Sequence, residues 1–353
     1  MRLEDLDFDL PAELIAQVPA AQRDACNLLH LHRASAALQV RRFDALPELL
    51  RPRDLLVLNA SRVLPARLLA ERAETGGRCE LLLVEPETAQ RWWALARPAR
   101  SLRPGARLRL ADGSEISVTG VGEAGRRLLD FGAGKSGLEV AHRLGTLPLP
   151  PYIRRQAEPG DAEAYQTVFA RVEGSVAAPT AGLHFTPELL DALARRGISS
   201  ATLVLHIGPG TFAPLRSSDP LQHRMDWERF EVERAVLERC RATRQAGGRV
   251  VAVGTTATRV LESLALWEEG AVGDAVAVRV EGEWLRGRTR LFIHPPFDFR
   301  RVDALLTNFH LPRSTLLLLV DAFAGRTAIR RAYAEAVARR LRFFSYGDAM
   351  LIE

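Results

Sequence analysis

This sequence has almost no lysine and very little cysteine. Of its 48 lysines and arginines taken together, Lys135 alone is lysine. The three cysteines, Cys26, Cys79 and Cys240, are scattered and form no CxxC pair. That spacing excludes a zinc-ribbon or disulfide framework. Isolated thiols fit the reducing cytoplasm. No apolar run approaches the roughly 18 residues that a membrane helix needs; the longest candidate is LLLLV at 316–320. The start, MRLEDLDFDL, is acidic and lacks the apolar stretch of a signal peptide. Neither a Walker A sequence nor an HExxH spacing occurs, so no bound metal is expected.

What is present is ordinary globular material. The chain has 353 residues, 47% hydrophobic and 26% charged, a length that suggests two domains. Its net charge of +5 leans towards a polyanionic partner.

The texture changes twice along the chain. Pro11 near the first turn of PAELIAQ (11–17) predicts a helix. NLLHLHR and ALQVRRF alternate as a hairpin, and DLLVLNA (54–60) reads as a buried strand. From 67 to 133, six short alternating segments follow one another, split by turns such as TGG, RPG and ADG. That spacing predicts a closed antiparallel β-barrel or small sandwich. GVGEAG (120–125) matches a dinucleotide fingerprint only literally; with strand pattern after it, it reads as a hairpin turn. Helical periods return in LEVAHRLG (138–145), EAYQTVFARV (163–172) and PELLDALARRG (187–197). They alternate from there with strands at SATLVLHIG (200–208), GGRVVAVG, RLFIHP (290–295) and DALLTNF (303–309). STLLLLVDAFAG and AIRRAYAEAVARRL are the last helices. Such alternation indicates an α/β layer. The expected organisation is therefore an α/β domain built from both ends of the chain, residues 1–66 and 136–353, with a β-barrel domain inserted at 67–135.

Several residues stand where chemistry is often carried. His206 and His310 follow predicted strands, and His184 precedes a predicted helix. Ligands of open α/β sheets bind at such strand ends, although a lone histidine is also a common structural residue. VVAVGTTATRVLES runs a buried strand into a helix through Gly254, Thr255 and Thr256. Its free amides suit an anion, with Arg259 on the following turn. An ordinary turn capped by a threonine reads equally well. Gly208, Gly210 and Thr211 form a turn that backbone can use to approach a ligand closely.

The chain resembles the S-adenosylmethionine:tRNA ribosyltransferase-isomerases of queuosine synthesis. The resemblance rests on DFDLPAELIAQVP (7–19), LNASRVLPARL (58–68), PLPPYI (148–153), YQTVFA (165–170) and GSVAAPTAGLHFT (174–186). It continues through LHIGPGTFAPL (205–215), VGTTATRVLES (253–263), TNFHLPRSTLLLLVDAFAG (307–325) and RFFSYGDAMLI (342–352). Two positions depart from the family pattern. Asp226 replaces a histidine in HRMDWE (223–228), and FIHPPF (292–297) carries His294 and Pro296.

The resemblance implies S-adenosylmethionine as co-substrate, no prosthetic group, and transfer RNA as partner. The ribosyl unit would pass to 7-aminomethyl-7-deazaguanine at the wobble position and isomerise, yielding epoxyqueuosine, adenine and methionine. Proton transfers in such a reaction call for acid–base groups; the candidates are His184, His206, His310, Glu228 and Asp321. Substrate contacts are expected from Thr180, Gly208, Gly210, Thr211, Gly254, Thr255, Thr256, Arg259, Asn308 and Asp348. Phosphates are expected at Arg313, Arg326, Arg330 and Arg331, each of which reads equally as a solvated helix face. A monomer is expected. The rival readings are a diverged S-adenosylmethionine-dependent RNA methyltransferase, whose glycine-rich loop is missing, and a tRNA-binding member that has lost activity through Asp226 or Pro296.

Overall fold

The computed structural model describes residues 2–212, 215, 219–271 and 273–353, the side chains at 211 and 212 excepted. In chain order the first elements are β1 (Asn27–His32), β2 (Ala37–Arg42), α1 (Leu46–Leu49), β3 (Leu55–Asn59) and β4 (Ser61–Val63). Next come β5 (Arg67–Arg72), β6 (Arg78–Pro86), β7 (Arg91–Arg97), β8 (Arg107–Leu110), β9 (Glu115–Val121) and β10 (Arg126–Asp130). The chain continues through α2 (Gly137–Leu144), α3 (Asp161–Ala164), β11 (Val172–Ser175), α4 (Pro187–Arg195), β12 (Ser199–Leu205), β13 (Glu228–Glu233) and α5 (Arg234–Gln245). It ends with β14 (Val250–Val253), α6 (Gly254–Glu268), β15 (Val276–Glu281), β16 (Trp284–Thr289), β17 (Ala304–Asn308), α7 (Thr315–Ala324), α8 (Arg326–Ala338) and β18 (Ala349–Ile352).

The expected combination of layers is present. A ten-stranded mixed sheet runs in the order β15-β16-β13-β12-β3-β14-β17-β18-β1-β2, and β10-β7-β6-β5-β8-β9 close a separate antiparallel barrel. The barrel strands alternate because one face is inside; along β7, Trp92, Ala94 and Ala96 are buried and the residues between them are not. β3, β14 and β17 are buried at every position instead. They are the central parallel strands, covered on both faces, and their sequences are accordingly continuous apolar runs. GVGEAG sits at the β9–β10 turn, as a hairpin connection.

Topology decides what meets at one edge. β12, β3, β14 and β17 are mutually parallel, so Leu205, Asn59, Val253 and Asn308 end together. β18 is antiparallel to β17 and pairs Ala349 with Asn308, so the loop before β18 lies at that edge too. β1 is parallel to β18, which brings Cys26 to the same rim.

Three local expectations are overturned. PAELIAQ is not a helix; only Ala12–Leu14 form one tight turn. Ile15 bridges Phe343, and Phe343 donates its amide to the Leu14 carbonyl, so tertiary pairing wins over propensity. EAYQTVFARV is helical only at its first residues, within Asp161–Ala164. The Gln166 side chain then grips the amide and carbonyl of Val63, pulling the chain alongside β4. RLFIHP is not a strand. The Leu291 amide goes to the Thr289 hydroxyl rather than to a neighbouring strand, and two prolines follow.

Candidate functional site

At the shared edge lies a narrow cavity of ≈ 30 Å³, walled by Thr180, Gly254, Thr255, Thr256, Asn308 and His310 together with Ile207, Phe344 and Ser345. Gly254 has φ +88, a left-handed value that lets β14 turn at once into α6. Among the described residues, no side chain caps the start of α6. The threonine-capped alternative therefore fails, and the first-turn amides stand beside the cavity with the positive end of the helix dipole. The Thr256 hydroxyl is instead taken by Asn59, whose amide also binds the Leu205 carbonyl and whose oxygen accepts from Leu205 and Ser61. Asn308 donates to the Phe344 carbonyl at 2.8 Å, while its Oδ1 is buried without a partner. An unpartnered buried acceptor in a cavity wall is a place for a ligand donor.

All three histidines are buried, and burial pushes each below the ordinary imidazole range. His184 and His206 fall to about 4 and His310 to about 3. They are neutral at pH 7. This differs from acid–base groups tuned near working pH: each ring has a free lone pair or N–H for hydrogen bonding, and burial makes it a weaker base than an exposed imidazole. His310 Nε2 meets the Thr307 hydroxyl at 3.0 Å, and its backbone amide donates to the Tyr333 hydroxyl. His184 Nδ1 meets Cys26 Sγ at 3.1 Å. Burial drives the Cys26 thiol far upward, so it stays protonated. The S–H therefore donates to Nδ1, and the proton of the ring sits on Nε2. Asn308 beside it opposes the downward shift without overcoming it. Replacing Cys26 by Ala is expected to free the ring and lower turnover about tenfold, with C26S close to wild type, because a hydroxyl restores the donor. Turnover measured across pH checks this; equal loss in both variants would make the contact merely packing.

His206 is held differently. Gly174, at φ +144, packs against its ring; a Cβ there would lie 2.5 Å from His206 Nδ1. Gly174→Ala is expected to cost about 2 kcal/mol or more, from backbone strain and a displaced ring. A urea midpoint unchanged from wild type would refute it.

Next to the cavity, on the same helix as Thr255 and Thr256, Arg259 pairs with Glu228 in a fully buried contact. The other Glu228 oxygen accepts the Gly208 amide at 2.9 Å. Arg259 Nε and its second terminal nitrogen are buried and unpartnered. Gly210 is close to Asp226, which is half exposed and pairs at 3.8 Å with Arg126 on the barrel. The departing histidine position thus sits at the contact between barrel and sheet. The Thr211 side chain lies outside the described residues.

Other expected residues are elsewhere. Asp321 lies on the side of α7 that faces the chain start, paired with Arg326; burial raises it to about 6. Asp348 clamps the amides of Asn27 and Arg342. Neither lines the cavity. Arg313 pairs with Asp7, Arg326 also with Asp5, and Arg330 donates to the Asp5 carbonyl, whereas Arg331 is simply exposed. Among the described residues, no three His, Cys, Asp or Glu side chains are placed to hold a metal, and no helix is long and apolar enough to cross a membrane. Sequence reasoning missed Cys26, Asn59, Gly174 and Ser345. Asn59 and Ser345 fall inside LNASR and RFFSYGD, so their signal was present but carried no chemical pattern.

A family model described as "Queuosine biosynthesis protein" matches residues 3–352. The chain is 51% identical to the S-adenosylmethionine:tRNA ribosyltransferase-isomerase of Symbiobacterium thermophilum, over the whole of both chains. It is 51% identical to the protein of that name from Anaeromyxobacter sp. (strain K), covering 100% of this chain and 99% of the relative. Among solved structures, the S-adenosylmethionine tRNA ribosyltransferase of Thermotoga maritima is similar, with a TM-score of 0.55 and 38% identity, covering 99% of this chain and 100% of the other.

Proposed function

The chain belongs to the queuosine biosynthesis protein family, as a transferase/isomerase, and from that membership and the site we propose the following reaction. It moves the ribosyl unit of S-adenosylmethionine onto 7-aminomethyl-7-deazaguanine at the tRNA wobble position and isomerises it, releasing adenine and methionine. The observation that carries this reading is the uncapped start of α6, set in one cavity wall with Thr180, Asn308 and His310.

The methionine carboxylate is an anion, and the α6 amides with the spare donors of Arg259 are the matching group. The Asn308 oxygen is an acceptor for a ribose hydroxyl or an amino group. The sulfonium acidifies its neighbouring 5′ hydrogens, so a neutral imidazole can take one. His310, in the cavity wall, is the nearest candidate. The acceptor amine must also be neutral to attack; His184, whose Nδ1 accepts the Cys26 S–H and whose Nε2 carries the ring proton, can orient that amine as a hydrogen-bond donor. The cavity of ≈ 30 Å³ must widen to hold the donor; it lies between the segment after β11 and the segment before β18. Arg330 and Arg331 are the arginines best free to meet phosphates, and such contacts make affinity fall with salt.

The test uses purified protein, S-adenosylmethionine and an anticodon stem-loop carrying 7-aminomethyl-7-deazaguanine, followed by digestion and mass measurement of the nucleosides. Epoxyqueuosine with free adenine and methionine is the expected result. A methylated nucleoside would support the methyltransferase reading instead. Tight stem-loop binding without product would mark a member that has lost activity.

A further inference from the structure

A second, larger cavity adjoins the first. It encloses ≈ 490 Å³, within the range of small-molecule sites. Ser345 lines both cavities. His184 lines the larger one, and Asn308, its neighbour, lines the smaller. The two spaces are thus separated by a thin partition of these three side chains. His184 is 4% exposed, with Asn308 beside it.

The walls divide into groups that build the cavity and groups left to bind. Arg23 is spent on the carbonyls of Glu163, Gln166 and Leu183. Asp161 is spent on both terminal nitrogens of Arg155, on the Tyr346 hydroxyl and on the Glu158 amide. Glu158 and Glu163 remain at the mouth, exposed, within electrostatic reach of Arg155 and Arg23 respectively but not in an ion pair among the described residues. A guanine-type edge presents two neighbouring N–H donors, which carboxylates accept. An aminomethyl group is cationic in water and is drawn to an acidic mouth.

We propose, on the reading given above, that this cavity receives the flipped acceptor base, with Glu163 or Glu158 reading its donor edge. Its aminomethyl group then points at the His184 partition, towards the donor in the smaller cavity. Donor and acceptor occupy adjoining rooms and meet at His184. A base drawn from a single-stranded loop costs little to extrude.

The test narrows the larger cavity without touching the smaller. Gly160 lines it at an ordinary φ, and a Cβ built there meets open space. Gly160→Trp is expected to raise KM for the modified stem-loop at least tenfold and to abolish binding of the free 7-aminomethyl-7-deazaguanosine nucleoside. Its Kd for S-adenosylmethionine should stay within twofold. Ala21→Trp, on the exposed opposite rim, repeats the test should the first variant fold poorly. If both variants keep nucleoside binding and KM within twofold of wild type, the proposal is overturned while the reaction stands. If wild-type protein releases no adenine, the reaction reading fails, and the nucleoside-binding comparison still decides the cavity.

Discussion

Replacing Arg259 by Met is expected to destabilise the protein by about 3–5 kcal/mol, because it removes the guanidinium that neutralises the buried Glu228 carboxylate. Both side chains are 3% exposed, so water cannot take over the pairing. The same change is expected to weaken S-adenosylmethionine binding at least tenfold. That second effect comes from the two guanidinium nitrogens that have no protein partner. Buried donors are rarely left unsatisfied, and a carboxylate on the substrate would satisfy them. The double variant E228Q/R259M separates the two roles. With the buried charge neutralised, stability is expected to return to within about 2 kcal/mol of wild type. Binding of S-adenosylmethionine, read by calorimetry, is expected to remain lost. If the double variant binds as wild type does, Arg259 serves only the fold.

The logic of that site was partly legible in the sequence. Gly254, Thr255, Thr256 and Arg259 share one strand-turn-helix unit, and local pattern alone places them together. So does the barrel: its six segments alternate with period two, and the structure closes them as strands at those positions. What stayed hidden depends on distant pairing. Asp321 reads as a site carboxylate because it stands in the family motif TNFHLPRSTLLLLVDAFAG (307–325). The rotation of α7 turns it towards Arg326 instead. Cys26 and His184 are 158 residues apart, and no period connects them. PAELIAQ carries helix propensity, yet its backbone is claimed by Phe343. The arm β13, β16 and β15 pairs antiparallel along one end of the sheet; charged residues interrupt ERFEVE and WLRGRT, whereas the alternating valines of VAVRVE carry a strand signal that sequence reasoning missed. Short elements lose to tertiary contacts more readily than long periodic ones.

Acidification is expected to unfold the protein between about pH 6.5 and pH 4, well above the range where carboxylates alone would act. The sign follows from the three histidines. Their folded-state values lie near 4, 4 and 3, below the ordinary 6.5. As pH falls through 6.5, the unfolded chain binds protons that the folded chain refuses. Stability is therefore complete above 6.5 and drains away on the way down. At 1.36 kcal/mol per unit, each histidine accounts for about 3 kcal/mol or more by the lower end of the window. Asp321 works the other way, since its folded value is raised to about 6 and it gains protons before its unfolded counterpart. It offsets about one histidine. Glu353, held near 2 by His30 and Arg249 against burial, adds further loss below about 4.5. The net slope is set by these three histidines and His223, which burial also lowers, against Asp321 and Glu262, which burial raises. Thermal midpoints at pH 7.5 and pH 5 check it, with a drop of roughly 5 °C or more expected. H310Q, which removes one refused proton, should shallow the pH dependence by about a third to a half. A midpoint constant across this interval would mean that the histidines are hydrated and free to titrate, and their proposed role as neutral acceptors would fall with it. Over pH 6.5–8, by contrast, turnover is expected to be flat with respect to these rings, since none of them changes charge there.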